Sequence, residues 1–233
     1  MGRSGKFKSE AKEILEELER RKSEENIEGK KRFGIISEHM YGIRIPELRE
    51  LAKYYRFNHD LALELWKTKV HECMIMASYI DHPKEVTLLQ MEEWVRDFRS
   101  WDICDQVCGN LFDRTPFAFV KAEEWVKREE EFIKRAGFVL MATLSVHAKS
   151  RNEEDFFPFF DLIAEYGNDD RNFVKKAVNW AIRQMGKRSL VLHKKALEVS
   201  GALATQGKTA GKWIASDALR ELNSERVLKK FKH

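Results

Sequence analysis

The sequence predicts an all-helical fold in which antiparallel helix pairs stack into a solenoid, and three observations lead to this prediction. The 233 residues include only 12 glycines and 4 prolines, so helix breakers are few. Apolar residues recur at the spacing of one helical face, and no stretch alternates with period two for long enough to indicate a strand. The breaks return at intervals of roughly 30 to 40 residues, a period typical of HEAT- and armadillo-like repeats, which predicts a right-handed superhelix.

The helical periodicity is clearest in three segments. In residues 101–113, apolar side chains fall at positions i, i+3, i+4, i+7 and i+8, counted from Cys104. Similar stripes run from Phe132 to Leu144 and from Phe173 to Met185. Each stripe covers one side of a helix, so we expect that side to be buried against neighbouring helices.

The breaks between the helices carry start and stop signals. Pro46 opens a helix after the turn of residues 40–45, and Ser100 is placed to cap a helix that starts at Trp101. The other breaks are Asp81-His82-Pro83, Thr115-Pro116, Gly167–Asp170 and the connection between Gly207 and Gly211. They predict the helix pairs 58–67 with 70–81, 84–98 with 101–113, 116–128 with 130–148, 152–166 with 170–187, and 189–206 with 209–223. We therefore predict one repeat domain over residues 1–233, with an N-terminal helical cap at 8–57, helix-pair repeats at 58–223 and a basic tail at 224–233.

Composition limits the class of protein. With 43% hydrophobic and 34% charged residues, the chain is too apolar to be disordered. No apolar run approaches the length of a membrane span, and no apolar stretch follows residues 1–6 as a signal peptide requires. The cysteines Cys73, Cys104 and Cys108 are sparse and odd in number, which is typical of reduced thiols. We expect a cytoplasmic protein without membrane association, whose cysteines are buried thiols and not metal ligands.

Charge is distributed unevenly along the chain, although the net charge is only +4. Residues 9–28 hold eight acidic and four basic side chains, whereas residues 171–198 hold eight basic side chains and one acidic. The predicted tail adds Arg226, Lys229, Lys230 and Lys232. A local basic excess is typical of proteins that bind a polyanion, and the alternative is a solvated helical face.

Two candidate functional residues lie one turn apart at the start of helix 101–113. Trp101 and Asp105 share one face and flank the apolar stripe, and Gly109 leaves space beside the Asp105 carboxylate. Asp102 is explained by the partial positive charge of a helix N-terminus, whereas Asp105 lies beyond the first turn. For Trp101 the alternative is an aromatic residue at the edge of the core.

Basic side chains accompany an aromatic residue on helix 170–187. At positions i, i+4, i+7 and i+11 lie Lys176, Trp180, Arg183 and Lys187. Such a face suits nucleic acid, since cations bind phosphates and the ring contacts a sugar or base. Lys134 and Arg135 border the stripe of helix 130–148. The alternative for these residues is a surface position in which long side chains cover apolar neighbours.

These candidates occupy the second helix of three consecutive predicted pairs. In a solenoid, equivalent helices of successive repeats line the same wall. We therefore expect four side chains on one concave surface: Trp101, Asp105, Arg135 and Trp180.

Four pieces of sequence, in this order, resemble the AlkD-like DNA alkylation repair glycosylases. They are Gly42-Ile43-Arg44-Ile45-Pro46-Glu47-Leu48-Arg49-Glu50-Leu51, Trp101-Asp102-Ile103-Cys104-Asp105, Arg135-Ala136, and Lys176-Ala177-Val178-Asn179-Trp180-Ala181-Ile182-Arg183. The resemblance covers residues from about 30 to 190. It departs at Phe33, where some members carry tyrosine, so a hydroxyl contact with DNA is absent there.

The resemblance implies a superhelix of HEAT-like repeats that cradles duplex DNA and removes alkylated purines. It implies that Asp105 is the catalytic carboxylate, that Trp101 and Trp180 hold the deoxyribose of the lesion, and that Arg135 binds a backbone phosphate. The further expected DNA contacts are Phe33, Lys134, Lys176, Arg183 and Lys187.

Hydrolysis of this glycosidic bond requires few catalytic groups, because a purine alkylated at N3 or N7 is cationic and leaves readily. We expect a monomer that acts on duplex DNA containing alkylated bases and uses no metal or other cofactor. Two alternatives remain. One is a non-catalytic HEAT-like scaffold that binds a DNA structure or a protein partner. The other is a metal-dependent nuclease, for which Asp102 and Asp105 are the only close pair of carboxylates in the expected groove.

Overall fold

A computed structural model describes residues 3–205 and 209–231, and its secondary structure within these ranges is helical throughout. The all-helical prediction is confirmed. The α-helices of the described residues are α1 (Arg3–Arg20), α2 (Glu24–Arg32), α3 (Ile45–Ala52), α4 (His59–Lys67), α5 (His71–Ile80), α6 (Leu88–Arg96), α7 (Trp101–Asn110), α8 (Ala118–Trp125), α9 (Glu131–His147), α10 (Phe157–Tyr166), α11 (Asn172–Met185), α12 (Leu190–Thr205), α13 (Thr209–Leu222) and α14 (Glu225–Leu228). Short 3₁₀ turns lie at Lys53–Tyr55, Phe112–Arg114, Glu154–Phe156 and Lys229–Phe231.

The chain divides into two compact units, Met1–Thr115 and Pro116–His233. In the N-terminal unit, α4 packs against α1 and α5, and the helices α3, α5 and α7 pack in succession. Nearly every residue of α5 is buried, because its apolar sequence places it between other helices. Stacking of Trp66 on Trp94, with ring centroids 4.0 Å apart, fixes α4 against α6.

The C-terminal unit is also built from layers of alternate helices. The helices α9, α11 and α13 pack in succession, and α10 packs against both α8 and α12. Gly137 is required where α9 crosses close to α8, because a Cβ atom there would lie 2.7 Å from the backbone nitrogen of Val126. The apolar stripe predicted for residues 170–187 is confirmed, since Val174, Ala177, Val178, Ala181, Ile182 and Met185 are buried.

The predicted helices agree with the observed ones except at some ends. Helix α6 begins at Leu88, four residues later than predicted, because the Thr87 hydroxyl accepts a hydrogen bond from the Gln90 backbone nitrogen (3.1 Å) and caps it there. Pro46 lies in the first turn of α3, as predicted. The predicted pairing is less accurate, because α7 contacts α5 more extensively than α6, and α11 contacts α9 more extensively than α10. Of the last predicted connection, Gly207 lies outside the described residues, whereas Gly211 lies inside α13 and not in a break.

The segment predicted as a basic tail is helical over residues 225–231. Val227 is buried, and the Phe231 ring lies 5.0 Å from that of His193. Lys229 forms an ion pair with Glu225 (2.6 Å), and Lys232 lies outside the described residues. The end of the chain therefore packs onto its unit through apolar side chains.

Candidate nucleic-acid interface

Trp101 is held in one orientation at the start of α7. Its indole Nε1 donates a hydrogen bond to the Phe33 backbone oxygen (2.9 Å), and its ring packs against the buried side chains Ile27, Ile35 and Met40. Trp101 thus lies at the edge of the core, as the alternative interpretation of this residue predicted. Its remaining surface faces an open cleft. A ring fixed in this way offers a flat surface to a ligand at little cost in conformational entropy.

The cleft beside Trp101, which we name cleft A, has a volume of about 620 Å³. Its walls combine the basic side chains Lys30, Arg32 and Arg44 with the aromatic side chains Phe33 and Trp101. Glu25 is the one acidic residue among the residues that line it. Phe33 is 73% exposed, which is unusual for a large apolar side chain. Lys30 contacts Glu72 (3.4 Å) and Arg44 pairs with Glu47, so part of the positive charge is balanced within the protein.

A buried acid beneath cleft A holds the loop that forms one wall. The Glu72 carboxylate accepts hydrogen bonds from three successive backbone nitrogens: Tyr41 (2.9 Å), Gly42 (2.8 Å) and Ile43 (3.2 Å). Gly42 has a φ of +77°, and a Cβ atom there would lie 2.5 Å from the Ser23 backbone oxygen. The Gly42-Ile43 piece of the family motif therefore has a structural role, because it lets the loop close over Glu72.

Asp102 is more than a helix-start residue. It lies in the first turn of α7, as predicted, but its buried carboxylate accepts hydrogen bonds from His71 Nε2 (2.8 Å) and the Ser100 hydroxyl (2.7 Å). Burial by itself would raise the pKa of Asp102, but the hydrogen bond and charge of His71, together with the Ser100 hydroxyl, outweigh it and hold the pKa below its ordinary value. The pair joins α5 to α7 below Trp101.

Replacement of Asp102 by alanine is expected to lower the free energy of unfolding by about 3 kcal/mol, since it leaves His71 buried without its partner. Because folding lowers the pKa of Asp102, the part of this contribution that depends on its charge is complete above about pH 4 and is lost as the pH falls through the lower pKa of the folded state. Urea unfolding at pH 7 and pH 3 measures both effects. The exposed residue Glu93 is the control, and Glu93→Ala should change stability by less than about 0.5 kcal/mol. An equally small change for Asp102→Ala at pH 7 would contradict this role.

Asp105 lies one turn beyond Trp101 on α7 and is partly exposed. The neighbouring Cys104 and Cys108 are buried thiols, as predicted, and so is Cys73. Burial raises the pKa of Cys108 well above its ordinary value, and the adjacent charge of Asp105 contributes to the shift. The outer side of α7 therefore carries the carboxylate, while its thiols pack in the core.

In the C-terminal unit, the predicted phosphate ligand Arg135 is buried on α9. Its guanidinium donates a hydrogen bond to the Phe173 backbone oxygen and so links α9 to α11. Lys134 is also buried, and its ammonium lies 3.6 Å from Asp169 and 3.9 Å from Glu129. The alternative reading of Lys134 and Arg135 as surface side chains is wrong.

The basic face predicted on α11 is present, but much of its charge is balanced. Arg183 and Lys187 both contact Glu221 on α13, at 2.5 Å and 2.7 Å. Burial alone would raise the pKa of Glu221, but the hydrogen bond from Lys187 and the charges of both cations lower it overall. Trp180 is half-buried and Lys176 is exposed, so these two residues remain accessible on that face.

The predicted site residues are divided between the two units. Trp101 and Asp105 share α7 of the N-terminal unit, and Arg135 and Trp180 lie on the packed helices α9 and α11 of the C-terminal unit. Sequence reasoning missed His71 and Glu72. Their signal was an adjacent pair of ionisable residues inside an otherwise apolar helical run, a pattern that indicates buried hydrogen-bonded groups.

The described residues lack two features, a membrane-spanning helix and a metal-binding cluster of side chains. No helix among them is both long and apolar enough to cross a membrane. In the same ranges, no group of three or more His, Cys, Asp or Glu side chains is placed to hold a metal ion.

The fold matches that of a known structural class. A solved structure described as "a new family of proteins related to the HEAT-like repeat DNA glycosylases with affinity for branched DNA structures" superposes with a TM-score of 0.74 over 90% of this chain and 94% of that chain, at 20% identity. The protein thus has the fold of proteins related to the HEAT-like repeat DNA glycosylases, as the sequence predicted.

The sequence comparison defines the family. Residues 14–222 match the model of the family described as "DNA alkylation repair enzyme". Since the match spans most of the chain, the protein belongs to the DNA alkylation repair enzyme family. A similar protein from Listeria innocua serovar 6a, named Uncharacterized protein Lin0241, is 23% identical over 176 residues, which cover 74% of this chain and 76% of that protein.

Proposed function

We propose that the protein is a DNA glycosylase that hydrolyses the N-glycosidic bond of 7-alkylguanine and 3-alkyladenine in duplex DNA. The observation that carries this proposal is the pairing of Trp101 and Asp105 on α7. Trp101 is fixed by the Phe33 backbone oxygen at the wall of an aromatic and basic cleft, and a partly exposed carboxylate follows one turn later. Family membership supports the same conclusion.

The proposed chemistry assigns a role to each of these two groups. Departure of a cationic base develops positive charge on the deoxyribose, which the Asp105 carboxylate stabilises electrostatically. The face of the Trp101 ring stabilises the same charge by a cation–π interaction. Asp105 also positions the water that attacks the sugar. The cations of cleft A, including the exposed Arg32, bind phosphates on the flanking strand.

Residues of the C-terminal unit are proposed to contact the same DNA. Trp180 is proposed to contact a sugar of the strand, and Arg135 a phosphate, for which its buried guanidinium would exchange the Phe173 backbone oxygen. Lys176 is exposed and available for a phosphate as it stands, whereas Arg183 and Lys187 would exchange Glu221 for phosphate oxygens. Lys134 is proposed as a contact of the same kind, with Asp169 as the partner that a phosphate would replace.

The test is incubation with a duplex that contains a single 7-methylguanine, with excess protein so that one turnover is observed. We expect release of free 7-methylguanine and formation of an abasic site in that strand. The control is the same duplex with unmodified guanine, which should stay intact. Tight binding of the lesion duplex without any released base would contradict the proposed activity.

A second candidate function is non-catalytic binding of branched DNA. The observation that favours it is the described affinity of the structurally similar family for branched DNA structures. Against it stands Asp105, because a carboxylate on a surface that faces DNA lowers affinity unless it serves chemistry. Binding to a four-way junction and to a linear duplex of equal length, measured at one salt concentration, separates the candidates. The scaffold function requires strong preference for the junction and no base release.

A further inference from the structure

A second cleft in the N-terminal unit, which we name cleft B, is lined by basic and neutral residues only. Its volume is about 230 Å³, and it lies among α3, α5, α7 and the turns that follow α3 and α7. The side chains that matter to the argument are Arg49, Lys53, Arg56, Tyr79, Asn110 and Arg114. Lys53 pairs with Glu50 (2.6 Å) and Arg114 lies 4.0 Å from Asp113, so the positive potential that attracts an anion comes mainly from Arg49 and Arg56.

The charges of Arg49 and Arg56 are less balanced than those of the basic face on α11. Arg49 contacts neutral groups, the Gln106 side-chain oxygen (3.5 Å) and the Tyr79 ring (5.6 Å to the centroid). The Arg56 guanidinium lies 5.3 Å from the centroid of the Phe57 ring. In the described residues neither guanidinium has a carboxylate partner like Glu221, which neutralises Arg183 and Lys187.

Arg49 is also held in place before any ligand binds. The Gln106 side-chain oxygen accepts hydrogen bonds from the Tyr79 hydroxyl (2.5 Å) and from the Asn110 amide (3.2 Å) as well as from Arg49. This hub joins α3, α5 and α7 and positions the Arg49 guanidinium over Tyr79. A planar guanidinium fixed by stacking suits the paired oxygens of a phosphate.

Aromatic side chains beside cleft B indicate that the anion is a phosphate of a nucleic-acid strand. Tyr54 is 83% exposed and Phe57 is 62% exposed, and both are close in sequence to Arg56. Phe57 has a φ of 61°, an uncommon conformation for a residue other than glycine, which presents its ring at the surface. Exposed rings interleaved with cations are typical of surfaces that bind a nucleic-acid strand, and a site for free phosphate has no need of them.

We propose that cleft B binds a backbone phosphate of DNA, at a position distinct from cleft A and independent of base damage. The proposal rests on the proposed function only in taking DNA as the ligand. Arg49 supplies the oriented donors, and Arg56 supplies further charge. The contact adds to affinity for damaged and undamaged DNA alike, because phosphates carry no information about the base.

The test compares Arg49→Gln/Arg56→Gln with the matched control Lys8→Gln/Arg96→Gln, which removes the same charge from α1 and α6. Affinity for a short undamaged duplex is measured over a range of salt concentrations. We expect the cleft B variant to bind about tenfold more weakly at low salt, and its log–log salt slope to fall by about 1.8, as for two lost phosphate contacts. The control should match the unmodified protein. Thermal unfolding of each variant verifies that it is folded.

Two further measurements keep the outcome unambiguous. At saturating protein, single-turnover release of 7-methylguanine by the control Lys8→Gln/Arg96→Gln should match that of the unmodified protein, since neither residue lines cleft A or cleft B. If the unmodified protein releases no base, the proposed activity fails while the binding comparison still decides on cleft B. Inorganic phosphate is titrated separately. A salt slope equal to that of the control, or loss of phosphate binding without loss of DNA affinity, overturns the proposal.

Discussion

Replacement of Asp105 by asparagine is expected to slow the release of 7-methylguanine at least about a hundredfold, as for removal of a preorganised electrostatic group. Asparagine retains the size and most of the hydrogen-bonding capacity of aspartate but cannot offset the positive charge that develops on the sugar. Affinity for the lesion duplex should stay nearly the same or increase slightly, because a negative charge near the phosphates is removed. Single-turnover kinetics at saturating protein separate these two effects.

The matched control for this variant is Glu93→Gln on α6, an exposed carboxylate in the same unit that loses the same charge. It should excise at the unmodified rate. Asp102→Asn is unsuitable as a control, because Asp102 is paired with buried His71 and loss of its charge would alter stability. An Asp105→Asn protein that excises at a near-normal rate would exclude the carboxylate from the mechanism.

The sequence predicted the fold well because helical periodicity is a local property. The stripe from Phe173 to Met185 fixed the buried side of α11, and the break at Ser100 placed the start of α7 at Trp101. The start of α6 was harder to place, since the sequence indicated a start just after Pro83 and the Thr87 cap sets it at Leu88. Local pattern therefore gave the elements, and capping chemistry decided their ends.

The candidate site was less predictable, because partners distant in sequence decide how much charge a side chain presents. Arg183 and Glu221 are 38 residues apart, and nothing in either segment indicates that they pair. The same holds for cleft A, whose wall depends on Glu72 binding backbone nitrogens about 30 residues earlier. Periodicity identifies the face of a helix but not its neighbours, so a run of basic residues overstated the free charge of α11.

The site offers few catalytic groups, and this predicts strong selectivity among bases. Trp101 and Asp105 are proposed to stabilise charge on the sugar, but neither donates a proton to a departing base. His147, the nearest histidine candidate, is the last residue of α9, where a cation is explained by the negative end of the helix. A neutral base such as uracil or hypoxanthine needs protonation or a tight pocket in order to leave.

We therefore expect release of 7-alkylguanine and 3-alkyladenine but no measurable release of uracil or hypoxanthine. Larger alkyl groups on N7 should be tolerated, because recognition of charge at the sugar–base bond does not require close packing around the base. The measurement is a panel of duplexes of identical sequence, each with one lesion, assayed under single-turnover conditions at saturating protein. The unmodified duplex sets the background, and a duplex with an abasic site verifies that the protein binds this sequence. Efficient release of either neutral base would mean that a proton donor or base pocket operates in this protein, and the role given to Asp105 would then have to change.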